Sequence, residues 1–225
     1  MYNIVYIIKM YLASSPLFVK MYIYLFAKER LITDEQNIVV SGPPRVSNTF
    51  VGRVLYMNQD NLHFVNHFHS SGQVINALER DVPAIVIIRE PVDTAVSLCI
   101  KYPLIYPWVA VWRYNIYYKR LMTYKNKYVL VDFQTIKNDF NGLIKEFNYK
   151  YKDRLVLNTI DDFKKLEKEV LNSMLTKGLP EGDLETQVSA PTKKKEKLKA
   201  GIRKIVDNQF NINKAKILYK NMNQK

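Results

Sequence analysis

From residue 36 onward, short apolar runs alternate with stretches of helical periodicity. Asn37-Ile38-Val39-Val40-Ser41 is β-branched and closes on Gly42-Pro43-Pro44, which predicts a buried strand ending in a sharp turn. Leu62 to Asn66 predicts a second strand and Ala84 to Ile88 a strongly apolar third. Lys127 to Asp132 predicts a fourth, and Arg154 to Leu157 a weak fifth. Helical spacing fills the intervals over 47–57, 71–80, 107–124 and 134–147. A further helix starts at Pro91 and carries Val92, Ala95, Val96, Cys99 and Ile100 on its apolar side. A helix over 161–176, a Gly/Pro loop over 178–191 and two basic helices, 193–207 and 213–222, complete the chain. Uninterrupted apolar strands alternating with helices imply a parallel sheet covered on both faces. The expected fold is therefore α/β: three layers, α/β/α, around a central, mostly parallel sheet of four to five strands. In such folds ligands sit beyond the carboxyl ends of the strands. The informative loops are then Ser41 to Thr49, His67 to Ser70, Arg89 to Asp93 and the residues after Asp132.

Met1 to Ala27 departs from this alternation. It is rich in Tyr, Ile, Leu, Phe and Val, but Lys9, Lys20 and the Ser14-Ser15-Pro16 break interrupt it. A spanning helix needs about 20 mostly apolar residues, and no small-residue cleavage site follows a clean apolar core. The pattern favours one or two helices packed on the domain, with peripheral membrane contact through residues 1–28 as the alternative.

Length and charge narrow the picture. A chain of 225 residues suits one domain: an N-terminal helical segment (1–35), an α/β core (36–160) and a helical, basic C-terminal part (161–225). Hydrophobic residues at 48% and charged residues at 24% exclude wholesale disorder. Cys99 is the only cysteine, so no internal disulfide forms, which fits a reducing, cytoplasmic compartment with membrane association left open. Of the net charge of +13, the stretch from Lys193 to Lys225 supplies +9, from eleven Lys/Arg and two acids. Such a block is a solvated face or meets an anion: phosphate, sulfate, nucleic acid or a lipid headgroup.

Two loops carry candidate chemistry. Ser41 to Phe50 joins a strand to a helix, a geometry that aims backbone N–H groups and the helix dipole at an anion. Arg45 adds a fixed charge, and Ser47, Asn48 and Thr49 add short donors. The Gly-Lys-Ser/Thr ending of a nucleoside-triphosphate P-loop is missing. In the third loop Arg89 sits at a strand end and Ser97 eight residues on, within reach of the same side of the helix. An Arg with a hydroxyl behind it can clamp a phosphate. The alternative is purely structural: Arg89 caps a carbonyl or pairs with Asp93, and Ser97 is helix filler.

Together these loops resemble the sulfotransferase family, which uses 3′-phosphoadenosine 5′-phosphosulfate (PAPS). Pro44-Arg45-Val46-Ser47-Asn48-Thr49-Phe50 is similar to its 5′-phosphosulfate motif, and Arg89-Glu90-Pro91 with Asp93, Ala95-Val96 and Ser97 to its 3′-phosphate motif. Val46 and Ser47 stand where the family usually has Ser and Gly, and Arg45 replaces the commoner Lys. The resemblance covers roughly Ile38 to Ile100. It implies a P-loop-type fold, PAPS as donor, adenosine 3′,5′-bisphosphate (PAP) as product and no catalytic metal. It implies donor contacts at Arg45, Val46, Ser47, Asn48, Thr49, Phe50, Arg89 and Ser97. A late basic stretch over the 3′-phosphate would involve Lys194 and Lys195 among Lys193 to Lys199.

His63, His67 and His69 occupy alternate positions of one extended segment, but no carboxylate or Cys joins them at ligand spacing, so a metal site is not expected. The resemblance implies that His67 or His69, with His67 preferred, takes the proton of an acceptor hydroxyl as its oxygen attacks sulfur, while Arg45 stabilises the departing phosphate oxygen. The acceptor would be a small-molecule, carbohydrate or lipid hydroxyl, and nucleic acid is not expected. The competing readings are a nucleotide-type kinase and a non-enzymatic, basic nucleic-acid or membrane-surface protein. Tyr102 to Tyr118, with Trp108 and Trp112, reads as core more than as an acceptor wall. Asp132 reads as a capping or orienting residue more than a metal-binding one.

Overall fold

A computed structural model describes residues 2–28, 32–33, 35–65, 69–176 and 193–224, with the side chains of 175–176 and 193–197 left aside. Three parallel strands, β1 (Val39–Ser41), β2 (Ala84–Ile88) and β3 (Val129–Asp132), lie in the order β1-β2-β3. This is a smaller sheet than the four to five strands expected. The run from Leu62 contributes only one parallel bridge, Phe64 to Ile38. It lies on the far edge of β1, because Val39 N–H donates toward β2 at Pro83 while Ile38 C=O accepts from Val65. The 154–157 run makes no strand: Arg154 and Leu155 N–H return to the Tyr151 carbonyl, and Asn148 Oδ1 accepts from Leu157 N–H at 2.7 Å.

Why β2 is central follows from its side chains. Ala84, Val86 and Ile88 enter one core and Ile85 and Ile87 the other, all with essentially no exposure. A strand with no polar face can only be buried on both sides. The first core holds α4 (Ser71–Glu79), α5 (Pro91–Lys101) and α6 (Pro107–Leu121), together with residues of α10 (Lys193–Asp207) and α11 (Ile212–Asn223). The second holds α3 (Asn48–Asn58), α8 (Phe140–Tyr151) and α9 (Phe163–Thr176). Three layers result.

The single helix expected over 134–147 is two, α7 (Phe133–Asn138) and α8. Asp139 breaks it at φ −151°, returning its N–H to Thr135 and capping Gly142 N–H with its carboxylate. Asp132 caps α7 through Gln134 N–H and accepts from the Tyr219 hydroxyl, which ties α11 to the end of β3. Its role is structural, as the sequence suggested. The N-terminal pair, α1 (Tyr2–Ala13) and α2 (Pro16–Phe26), is bent by 102° and packs on α4 and α6.

Candidate active site

The loop after β1 is held shut from below. A Cβ on Gly42 would lie 2.5 Å from Val46 Cγ2 and 2.7 Å from the Ile87 carbonyl, so only glycine fits. Val46 is wholly buried in the second core, so it can offer a ligand its backbone alone, and the half-buried Phe50 packs against that core. Asn48 is buried as well: its Nδ2 donates to the carbonyls of Gly42 (2.8 Å) and Pro43 (3.2 Å), stapling the loop. Arg45 and Ser47 both adopt positive φ, 77° and 86°, and Val46 between them does not. Alternation of this kind turns successive N–H groups into one concavity. Ser47, the N-cap of α3, makes no side-chain cap bond, so the first-turn N–H groups of α3 keep no capping partner from it. The Thr49 side chain is exposed.

Two loops meet through their arginines. Arg45 Nε donates to Ser97 Oγ at 3.0 Å, and Arg89 Nη1 donates to the Arg45 carbonyl at 3.2 Å. Arg89 also lies over the Phe133 ring, 4.5 Å from its centre, and 3.9 Å from the Asp93 carboxylate. Lys101, which sequence reasoning did not single out, joins them from the last turn of α5. Burial, then the Arg89 charge, lowers the Arg45 pKa; burial, then Arg45, lowers that of Lys101. Three cations are thus crowded and partly desolvated. Within the described residues the nearby carboxylate is already engaged: Asp93 is held by Arg203 of α10. Like charges gathered out of water cost free energy that a bound polyanion would offset. The Glu90 carboxylate accepts from Asp93 N–H and caps α5.

The helix carrying Trp108 and Trp112 floors the site. Tyr114, Tyr117 and Tyr118 are buried, which fits the core reading. Their hydroxyls also reach strand ends: Tyr114 donates to the Arg89 carbonyl, Tyr118 to the Ile87 carbonyl, and Tyr117 shares a hydrogen bond with Ser41. A period-of-3.6 reading sees such tyrosines as apolar and misses their polar ends.

Of the histidine pair, His67 lies outside the described residues, as do the side chains of Lys194 and Lys195. His69 is at the site. Its Nδ1 is 3.1 Å from the Gly42 carbonyl and 2.9 Å from Asn48 Nδ2, with the backbone at φ 52°. His69 also lines a cavity of about 710 Å³ bounded by α1, α2, Ser70, Ser71, Arg113, Ile116 and Tyr117. Ser70 caps α4 and donates to the Ala13 carbonyl, fixing the α1–α2 corner beside it. Arg113 donates to the Tyr6 hydroxyl and lies over that ring; burial lowers its pKa to about 10. No group of three metal-ligating side chains occurs among the described residues.

No protein-family model matches the chain, and no curated protein matches it. A search of solved structures returns the crystal structure of the mouse sulfotransferase SULT7A1 complexed with PAP. It is 11% identical, with 83% of this chain and 90% of that chain covered, at a TM-score of 0.47.

Proposed function

We propose that this chain is a sulfotransferase that binds PAPS between its two loops and transfers the sulfuryl group to an acceptor hydroxyl presented from the apolar cavity. The observation that carries the reading is the crowding of Arg89 and Lys101 about Arg45, itself bonded to Ser97, beside an α3 N-terminus that Ser47 leaves uncapped. One side-chain cluster and one backbone cradle suit a nucleotide with phosphate groups at two positions. The side-chain cluster holds the 3′-phosphate, and the backbone N–H groups of Ser47 to Thr49 hold the 5′ end. PAPS, when bound, supplies the sulfuryl group and leaves as PAP.

The chain's own residues do the rest. His69 takes the acceptor proton at Nε2. For that, Nδ1 carries its proton and donates to the Gly42 carbonyl, while both N–H groups of Asn48 Nδ2 are taken by the Gly42 and Pro43 carbonyls. The cradle therefore orients the base as well as the donor. Because the Arg45 guanidinium is turned to Ser97, charge on the departing phosphate falls to the cradle N–H groups and the α3 dipole.

The test is equilibrium titration with PAP and, separately, ATP–Mg²⁺, on wild type and on Arg89→Ala and Ser97→Ala. Removing a charge-assisted phosphate contact costs about 1.5–3 kcal/mol, so PAP affinity should fall about 10- to 150-fold in Arg89→Ala and less in Ser97→Ala. A folded wild type that ignores PAP at low salt would sink the proposal, and preference for ATP–Mg²⁺ would favour the kinase.

A further inference from the structure

The α1–α2 pair presents two different faces. Its inner side is anchored: Met10, Val19 and Ile23 are buried, and Asn76 donates to the Pro16 carbonyl. At Gly72 a Cβ would lie 2.7 Å from the Ser15 carbonyl oxygen. Its outer side is apolar and uncovered, with Leu17 74% exposed, Phe26 76% and Ile4 63%, and with Tyr11 and Tyr24 also exposed. Between residues 2 and 28 the cations are Lys9, Lys20 and Lys28, all exposed, and there is no Asp or Glu. Tyrosines with lysines around an apolar face are the composition of a surface that sits at a lipid headgroup boundary.

We propose that this outer face docks on an anionic lipid bilayer and opens the cavity to it, so that the acceptor is an amphipathic alcohol drawn from the membrane. The acceptor half rests on the sulfotransferase reading, and the docking half stands without it. Charge decides the partner, since an apolar face ringed by lysines without a carboxylate complements anionic headgroups. Length decides the mode. Helices of 12 and 11 residues reach about 18 and 16 Å, against a hydrocarbon core of about 30 Å. Anchored inside and bent by 102°, they lie along one leaflet. Leu12, Phe18, Tyr22 and Leu25 are both exposed and cavity-lining, which places the cavity mouth on the lipid-facing side and His69 on another of its walls. Arg113 lines the same cavity and, among the described residues, has no carboxylate within ion-pair distance, so a headgroup oxygen finds a donor there.

The experiment is co-sedimentation of the full chain with phosphatidylcholine vesicles, with and without 30% phosphatidylglycerol (~0.1 M salt). The anionic vesicles should bind at least tenfold more protein. Ile4→Ser/Leu17→Ser/Tyr24→Ser, three exposed positions outside the cavity lining, should lower that binding at least tenfold while PAP affinity stays within twofold. Equal binding to both vesicles, or a triple variant that binds like wild type, overturns the docking. So does light scattering showing a wild-type dimer that the triple variant splits, since a second copy then covers the face. For the acceptor half, vesicles doped with hexadecanol are incubated with ³⁵S-labelled PAPS. Label should enter the lipid extract in wild type and fall at least tenfold in the triple variant. Transfer to a water-soluble phenol but not to hexadecanol overturns the acceptor half alone. Absence of PAP binding with vesicle binding intact removes the sulfotransferase reading and leaves the docking standing.

Discussion

Ser47 holds φ 86°, a conformation that glycine adopts freely and that costs an ordinary residue roughly 1–2 kcal/mol. Ser47→Gly should therefore stabilise the fold by up to about 1 kcal/mol, read as a rise of a few degrees in Tm, because Ser47 makes no cap bond to lose. Ser47 thus carries the strain of a glycine-like backbone conformation. Gly42→Ala is the opposite case. Its Cβ meets Val46 and the Ile87 carbonyl, and PAP binding should be lost along with stability. His69→Gln should lower turnover about 10²- to 10⁴-fold with PAP affinity unchanged, whereas His67→Gln should leave most of the rate. If the two variants exchange these outcomes, the preference read from the sequence spacing is restored. Both histidines are legible in the sequence, but two residues of spacing cannot tell them apart. The Gly42 carbonyl that engages His69 lies 27 positions away.

At the scale of elements, the helices were more legible than the sheet. β2, expected at 84–88, occupies that range because five successive apolar residues fit nothing but a doubly buried strand. The 62–66 and 154–157 runs, with one β-branched residue each (Val65 and Val156) against four in β2, form a single bridge and no strand. Pairing is decided by neighbours, which periodicity does not contain. The α1–α2 corner was similarly hidden. Gly72 looks like an ordinary residue of an amphipathic helix, but it is where the N-terminal pair touches α4. Gly72→Val should destabilise by about 1–3 kcal/mol, measured by urea unfolding, because the obstructing atoms are the backbone of Ser15 and Ala13. The same variant should loosen His69, which directly precedes Ser70, the residue that bonds Ala13 and caps α4.

For the whole molecule, the buried titratable groups set an alkaline limit. Burial pushes the Cys99 thiol up to about 11 from an ordinary 9.0, and it pushes the phenols of Tyr114, Tyr117, Tyr118 and Tyr128 higher still. Each is raised in the folded state, so above about pH 9 the unfolded chain binds fewer protons than the folded one. Stability should be flat below pH 9 and fall as pH rises through about 11, measured by denaturant midpoints along a pH series. Arg113, depressed to about 10, works the other way, as do Arg45 and Lys101, but these are three groups against seven, since Tyr151 and Tyr219 are raised as well. Cys99 should also react slowly with thiol reagents at pH 8 in the native protein and quickly once unfolded.

The amino-acid sequence by itself determined the layer architecture and the two post-strand loops that carry Arg45, Arg89 and Ser97, because these depend on local periodicity and on strand-to-helix turns. Tertiary structure decided what the chain folds against itself. It turned Arg45 onto Ser97, brought Lys101 near Arg45, placed Arg203 on Asp93, and gave His69 a carbonyl from another loop. It also left one face of the N-terminal helices exposed among the described residues, while the pair bounds a cavity that His69 also lines. Each of these is a contact between residues distant in the chain, and hydrophobic patterning specifies which side of an element is buried, not what it is buried against.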